Sequence, residues 1–212
     1  MSKIEELAHN VEIGKAKLVP GIVQECIDEG DAPLDILNKG MIDAMAVVGE
    51  KFKNNEIFVP EMLVAAKAMK KGVEALKPYL ADGNTGKIGK MVMGTVYGDL
   101  HDIGKNLVIM MIESTGYEVV DLGIDVPVAK FVEAVENDPE VTVVGVSALL
   151  TTTMPAMQET VAALNASPAR SRFKIMVGGA PITQEFANEI GADVYTEDAA
   201  SAGQAAKALA TA

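Results

Sequence analysis

From the amino terminus to about residue 80, apolar side chains recur at spacings of three and four, the signature of one helix face. Ile4, Leu7 and Val11 mark a first helix, which Gly14 interrupts. Leu18, Ile22, Val23, Cys26 and Ile27 mark a second, and Gly30 is its stop. Asp31 is placed to cap a third, with Pro33 just inside it. Leu34, Leu37, Met41, Met45 and Val48 then share a stripe until Asn54 and Asn55 end the pattern. Pro60 opens a fourth helix carrying Met62, Leu63, Ala66, Met69 and Val73 as far as Leu76. Four amphipathic helices on short connections predict a small antiparallel bundle. Asp82-Gly83-Asn84-Thr85-Gly86 breaks any helix and offers no apolar anchor, so it reads as a linker between a helical domain at residues 1–86 and a second domain at 87–212.

Beyond that linker the period changes. Strand-like apolar runs fall at residues 91–96, 118–122, 142–147, 174–177 and 194–196. Helix-like runs lie between them at 104–114, 128–137, 154–165 and 183–190, and an alanine-rich helix at 199–210 closes the chain. Five strands alternating with helices predict an α/β domain with a doubly wound parallel sheet covered on both faces. The flavodoxin-like order 2-1-3-4-5 is its simplest solution.

Composition narrows the function. A formal charge of −12, from 18 basic against 30 acidic residues, argues against nucleic acid and anionic membranes as partners. The start of the chain has no apolar signal core, and no apolar run reaches transmembrane length, so the expected location is the cytoplasm. A single Cys26 precludes an internal disulfide and, on a helical pattern, is expected to be buried and inert. Twelve Met against no Trp describe an aliphatic, adaptable core; the Met41, Met45, Met62, Met69 stripe belongs to it. His9 falls on a polar helix position and is expected at the surface.

The chemistry concentrates where the first strand of the second domain ends. Gly98-Asp99-Leu100-His101-Asp102-Ile103-Gly104 puts an acid, a histidine and two glycines at the carboxyl end of a strand, the place where open α/β sheets bind ligands. A histidine there can give one ring nitrogen to a metal while a carboxylate two residues away holds the proton of the other. On its own the pair reads more readily as an ordinary ion pair than as a metal site. Asp102 is placed to cap the helix that follows.

Asp99-x-His101-x-x-Gly104, then Ser147-x-Leu149, then Gly178-Gly179, each at the end of a strand-like run, resembles the cobalamin-binding signature of B12-dependent methyltransferases and mutases. Over nearly the whole chain the sequence is similar to the small corrinoid proteins of anaerobic methyltransferase systems and to the cobalamin module of methionine synthase. That resemblance implies a four-helix cap followed by a Rossmann-like domain holding cobalamin (methylcobalamin in the loaded carrier). His101 would be the lower axial ligand to cobalt and the one metal ligand. Asp99 would bond the far ring nitrogen, and Thr153, where methionine synthase carries Ser, would extend the relay; no other catalytic residue is implied. Ser147 and Thr151 would contact the nucleotide tail, Gly104, Gly178 and Gly179 would leave room for it, and Ala199 would meet its end. Gly98, Asp102, Ile103 and Leu149 complete the implied cofactor contacts in this domain. In the cap, Phe52 and Val59 match positions over the methyl-bearing face, Val59 being smaller than the leucine common there. Asn38 stands where methionine synthase has a cofactor-contacting Glu.

The implied function is a methyl carrier in one-carbon metabolism, and not a complete enzyme. Its partners would be a substrate-specific methyltransferase, a second methyltransferase serving a folate or thiol acceptor, and a reductive activation protein. The linker near Gly83 would act as the hinge on which the cap opens. The donor stays open among methylamines, methanol, methoxylated aromatics and quaternary amines. Three rivals share parts of the pattern. A mutase subunit shares Asp-x-His-x-x-Gly but does not explain Phe52 and Val59. A B12-sensing regulator needs a basic recognition face that is missing here. A plain nucleotide-binding domain needs a Gly-rich spacing that Gly98 and Gly104 do not match.

Overall fold

The computed structural model describes residues 2–79 and 87–210. The linker read at residues 82–86, with its hinge near Gly83, lies outside the described residues. The chain divides into two compact units, Met1–Lys87 with Ser114–Gly116, and Ile88–Glu113 with Tyr117–Ala212.

The first unit is helical. Helix α1 (Lys3–Glu12) starts with a reciprocal cap: Ser2 Oγ accepts the Glu5 N–H at 3.2 Å, and the Glu5 carboxylate accepts the Ser2 N–H at 2.7 Å. Leu7 and Val11 point inward, and His9 is exposed. In α2 (Val19–Asp28) the buried residues are Val19, Ile22, Val23 and Cys26; Leu18 precedes the helix and is exposed. The Asp31 N–H donates back to Cys26 O at 3.0 Å to close α2, so the cap of the next helix falls to Ala32 instead of Asp31. The third predicted helix is three runs in succession, α3 (Pro33–Leu37), a π turn at Asn38–Ile42, and α4 (Asp43–Lys53). Leu37, Met41, Met45 and Val48 are buried as the stripe predicts, but Leu34 in the first turn is exposed. In α5 (Val59–Leu76) the buried face is Met62, Ala65, Met69 and Leu76. Leu63 is exposed because it sits one helical step, about 100°, away from that face. Among the described residues no helix is long and apolar enough to cross a membrane.

The second unit is the expected α/β layer structure. Its strands are β1 (Gly89–Val96), β2 (Tyr117–Val126), β3 (Val141–Ser147), β4 (Lys174–Gly178) and β5 (Val194–Tyr195), all parallel, in the order 2-1-3-4-5. Along β1 the side chains alternate. Met91 and Met93 pack with Ile112 of α6 (Ile103–Glu113) and Ala202 and Ala206 of α10 (Ala199–Ala210). Val92 and Val96 pack on the opposite core, with Phe131 of α7 (Val128–Asn137), Met157 and Leu164 of α8 (Met154–Ala166) and Ile190 of α9 (Gln184–Ile190). Burial on both faces explains why the central strands read as continuous apolar runs.

Register positions the site. Thr95, Ser147 and Gly178 stand side by side at the carboxyl ends of β1, β3 and β4. The chain leaves β1 toward α6 and β3 toward α8, on opposite faces, so the strand order reverses here, at the position where open α/β sheets bind ligands.

Candidate functional site

The loop after β1 turns at once: the Asp99 N–H donates to Val96 O at 3.1 Å, with Gly98 in the left-handed region at φ 80°. The turn drives Asp99 inward, and its carboxylate is fully buried. Both oxygens are occupied. Oδ1 lies 2.7 Å from His101 Nδ1 and accepts the His101 N–H at 3.2 Å. Oδ2 accepts the Leu149 N–H at 2.7 Å and lies 2.8 Å from the Thr153 hydroxyl. Burial alone pushes this carboxyl up. The Leu149 N–H, the His101 ring, the Thr153 hydroxyl and the His101 N–H outweigh it and hold Asp99 well below the usual carboxylate range.

An ionised carboxylate only accepts, so the neutral ring of His101 carries its proton on Nδ1 and keeps a lone pair on Nε2. The side chain is half exposed while its partner is sealed in. The loop is pinned from two further sides: the buried Thr95 hydroxyl donates to His101 O at 3.0 Å, and Asp125 bonds Gly98 and Asp99. Sequence reading missed Thr95, Asp125 and the Leu149 N–H. Thr95 had a usable signal, a lone hydroxyl inside an apolar strand; the other two depend on which strands pair.

The remaining expected positions divide by what surrounds them. Ser147 ends β3 beside Thr95, and Thr151 is exposed on the short turn leading to Thr153. Ala199 is buried at the first position of α10. Asp102 is exposed; its carbonyl takes the Asn106 N–H at 2.8 Å, so it does start α6. The three glycines differ. At Gly179, φ is 134° and a Cβ would collide with Ala148 O, so the backbone itself demands glycine. A Cβ on Gly178 would sit 3.0 Å from Thr196 O. A Cβ on Gly104 would meet nothing of the protein within 4 Å.

The loops after β1 and β3 carry exposed apolar side chains: Tyr97 (62%), Leu100 (68%), Ile103 (85%), Leu149 and Leu150. Such a surface suits a large, partly apolar ligand. The donor set is one imidazole nitrogen, and among the described residues no three His, Cys, Asp or Glu side chains gather into a metal site. A single nitrogen suits a metal whose other positions a macrocycle fills. These residues therefore fit a corrinoid. In the helical unit, Phe52 is half-buried in α4 and Val59 is exposed at the start of α5.

Comparison with known proteins agrees with this fit. Two B12 binding domain families match, one over residues 3–77 and one over residues 89–206. Dimethylamine corrinoid protein 1 of Methanosarcina acetivorans is 42% identical over 207 residues, which cover 97% of this chain and 96% of that protein. Trimethylamine corrinoid protein 1 of Methanosarcina mazei is 41% identical over 186 residues, covering 86% and 85%. The methanol:cobalamin methyltransferase complex MtaBC of Methanosarcina barkeri has a chain that superposes with a TM-score of 0.86 at 31% identity, over 99% of this chain and 80% of its own.

Proposed function

The chain belongs to the B12 binding domain family, and from that premise we propose that it is a corrinoid methyl carrier, serving a substrate-specific methyltransferase on one side and a second methyltransferase with a folate or thiol acceptor on the other. A reductive activation protein completes the proposed set of partners. Methylated amines are the favoured donor class, because the relatives named for them are 42% and 41% identical against 31% for the methanol complex.

When bound, a corrinoid supplies a cobalt ion that takes a methyl group from one partner and yields it to another. The observation that carries the reading is the Asp99–His101 pair at 2.7 Å, which occupies Nδ1 and turns the lone pair of the neutral ring to Nε2 on a half-exposed side chain. Asp99 keeps the ring from turning over, and Thr153 and the Leu149 N–H keep Asp99 charged. His101 Nε2 would hold the cobalt, and the Asp99 carboxylate on Nδ1 would steady the ring that does so. Gly104 leaves room beside the loop, and Phe52 and Val59 are read as shielding the methyl-bearing face.

The test uses protein reconstituted with cobalamin and labelled with nitrogen-15 histidine. Only two histidines are present, so a His101→Ala control assigns the signal. Electron paramagnetic resonance of the cobalt(II) form is expected to show histidine nitrogen coupling. Coupling from dimethylbenzimidazole in the parent protein overturns the ligand assignment.

A further inference from the structure

The loop that carries His101 is poorly anchored by its own apolar side chains, since Tyr97 and Leu100 are both largely exposed. Its backbone is held instead by the end of β2. The register there is irregular: Met93 pairs with Asp121, Gly94 with Gly123 and Val96 with Val126. One step on β1 meets two on β2, and then two meet three, so β2 carries two extra residues. Bulges of this kind re-aim side chains next to functional sites.

The first bulge is fixed by Asp121. Its carboxylate takes the buried Lys105 ammonium of α6 at 2.7 Å and the Gly123 N–H at 2.9 Å. The second delivers Asp125, a non-glycine residue in the left-handed region at φ 51°. Aspartate tolerates that conformation better than most side chains. Asp125 then grips the ligand loop twice: Oδ1 accepts the Gly98 N–H at 2.7 Å, and its own N–H donates to Asp99 O at 3.0 Å. Both bonds fall on the turn that drives Asp99 inward.

We propose that Asp125 is a positioning residue for the axial ligand: by holding Gly98 and Asp99 it sets the depth of the Asp99 carboxylate, and through it the tautomer and aim of His101. The proposal rests on the reading of His101 as the axial ligand. It explains why a residue remote in sequence carries strained backbone at this point, when strand pairing alone requires neither bulge nor left-handed aspartate.

Three full-length variants separate the carboxylate from the backbone. Asp125→Ala removes the acceptor and keeps the strain; Asp125→Gly removes the acceptor and relieves the strain; Asp125→Asn keeps an acceptor oxygen. The first readout is nitrogen-15 resonance of the His101 ring in the apoprotein at alkaline pH, which reports the Nδ1–H against the Nε2–H tautomer. The second is the fraction of cobalt(II) signal with histidine coupling after reconstitution. Far-ultraviolet circular dichroism checks that each variant is folded. A several-fold rise in the Nε2–H tautomer and a several-fold fall in the coupled fraction are expected for Ala and Gly, with Asn close to the parent. A Gly variant with the parent's tautomer overturns the proposal. A parent protein without histidine coupling overturns the ligand reading instead, and the apoprotein tautomer still decides the role of Asp125.

Discussion

The Thr153 hydroxyl stands 2.8 Å from Asp99 Oδ2, the carboxylate oxygen that His101 does not use. Thr153 is itself buried, as is Asp99, so the bond forms away from water. The same hydroxyl lies 2.9 Å from Leu150 O. Thr153 thus ties the loop after β3 to the carboxylate that orients the histidine of the loop after β1.

Thr153→Val keeps the shape and removes the donor. Loss of a hydrogen bond to a buried charge is expected to lower unfolding free energy by about 2 kcal/mol in urea. Thr153→Ser, which keeps the hydroxyl, is expected to recover most of it. A larger loss in Thr153→Ser than in Thr153→Val would mean that the methyl group, which valine keeps and serine lacks, matters more than the bond.

Asp99→Asn replaces one acceptor oxygen by an NH2 donor in a pocket where the Leu149 N–H, the His101 N–H and ring and the Thr153 hydroxyl all seek acceptors. At neutral pH the variant is expected to be less stable by about 2–3 kcal/mol. Because the folded pKa of Asp99 is depressed, its contribution is full above the ordinary carboxylate pKa and fades as pH falls below about 4. The gap between parent and variant is therefore expected to narrow on acidification. A constant gap across the acid range contradicts the depressed pKa.

Gly104→Val separates folding from loading. The new side chain meets no protein atom within 4 Å of its Cβ, and valine is no worse than glycine in a helix, so the apoprotein is expected to melt within about 0.5 kcal/mol of the parent. Cobalamin uptake, followed by absorbance after gel filtration, is expected to fall sharply. His101→Ala is expected to keep some cobalamin and to lose histidine coupling. If Gly104→Val loads normally while His101→Ala loads nothing, the division of roles is wrong.

Val59→Ala probes the shielding role proposed for this residue. Val59 is 40% exposed, so truncation is expected to change apoprotein stability by no more than about 1 kcal/mol. The methylated protein is nonetheless expected to photolyse faster than the parent. Phe52→Ala is expected to do the same with a larger stability loss, since Phe52 is half-buried. Unchanged photolysis in both variants assigns these residues to packing alone.

Much of the fold is legible because the periods are clean. The helix at Val128–Asn137 and the one at Ala199–Ala210 have the bounds their patterns predict, and the strand order follows from strict alternation of strand and helix. What misleads are positions where apolar residues outnumber the face available, as at Leu34 and Leu63. The π turn at Asn38–Ile42 leaves no trace in a pattern that continues through it. At the site, Asp99, His101 and Thr153 are legible because their spacing resembles a known signature. Asp125 and the Leu149 N–H are not, because bulges and backbone donors carry no residue type of their own. Gly179 carries a second demand that its Gly-Gly pattern does not reveal: its φ of 134° and its approach to Ala148 O require glycine of the chain itself.

The Asp99 carboxylate collects donors from two loops that meet only when β1 and β3 pair in register. A one-residue slip of β3 would turn Ser147 to the other face and carry the Leu149 N–H away. The histidine and Asp99 would stay together on their own loop, but the carboxylate would lose the Leu149 N–H that helps to keep it charged. Under the proposed ligation, a bound cofactor therefore favours the chain whose strands are in register, and binding draws the population toward that form by mass action.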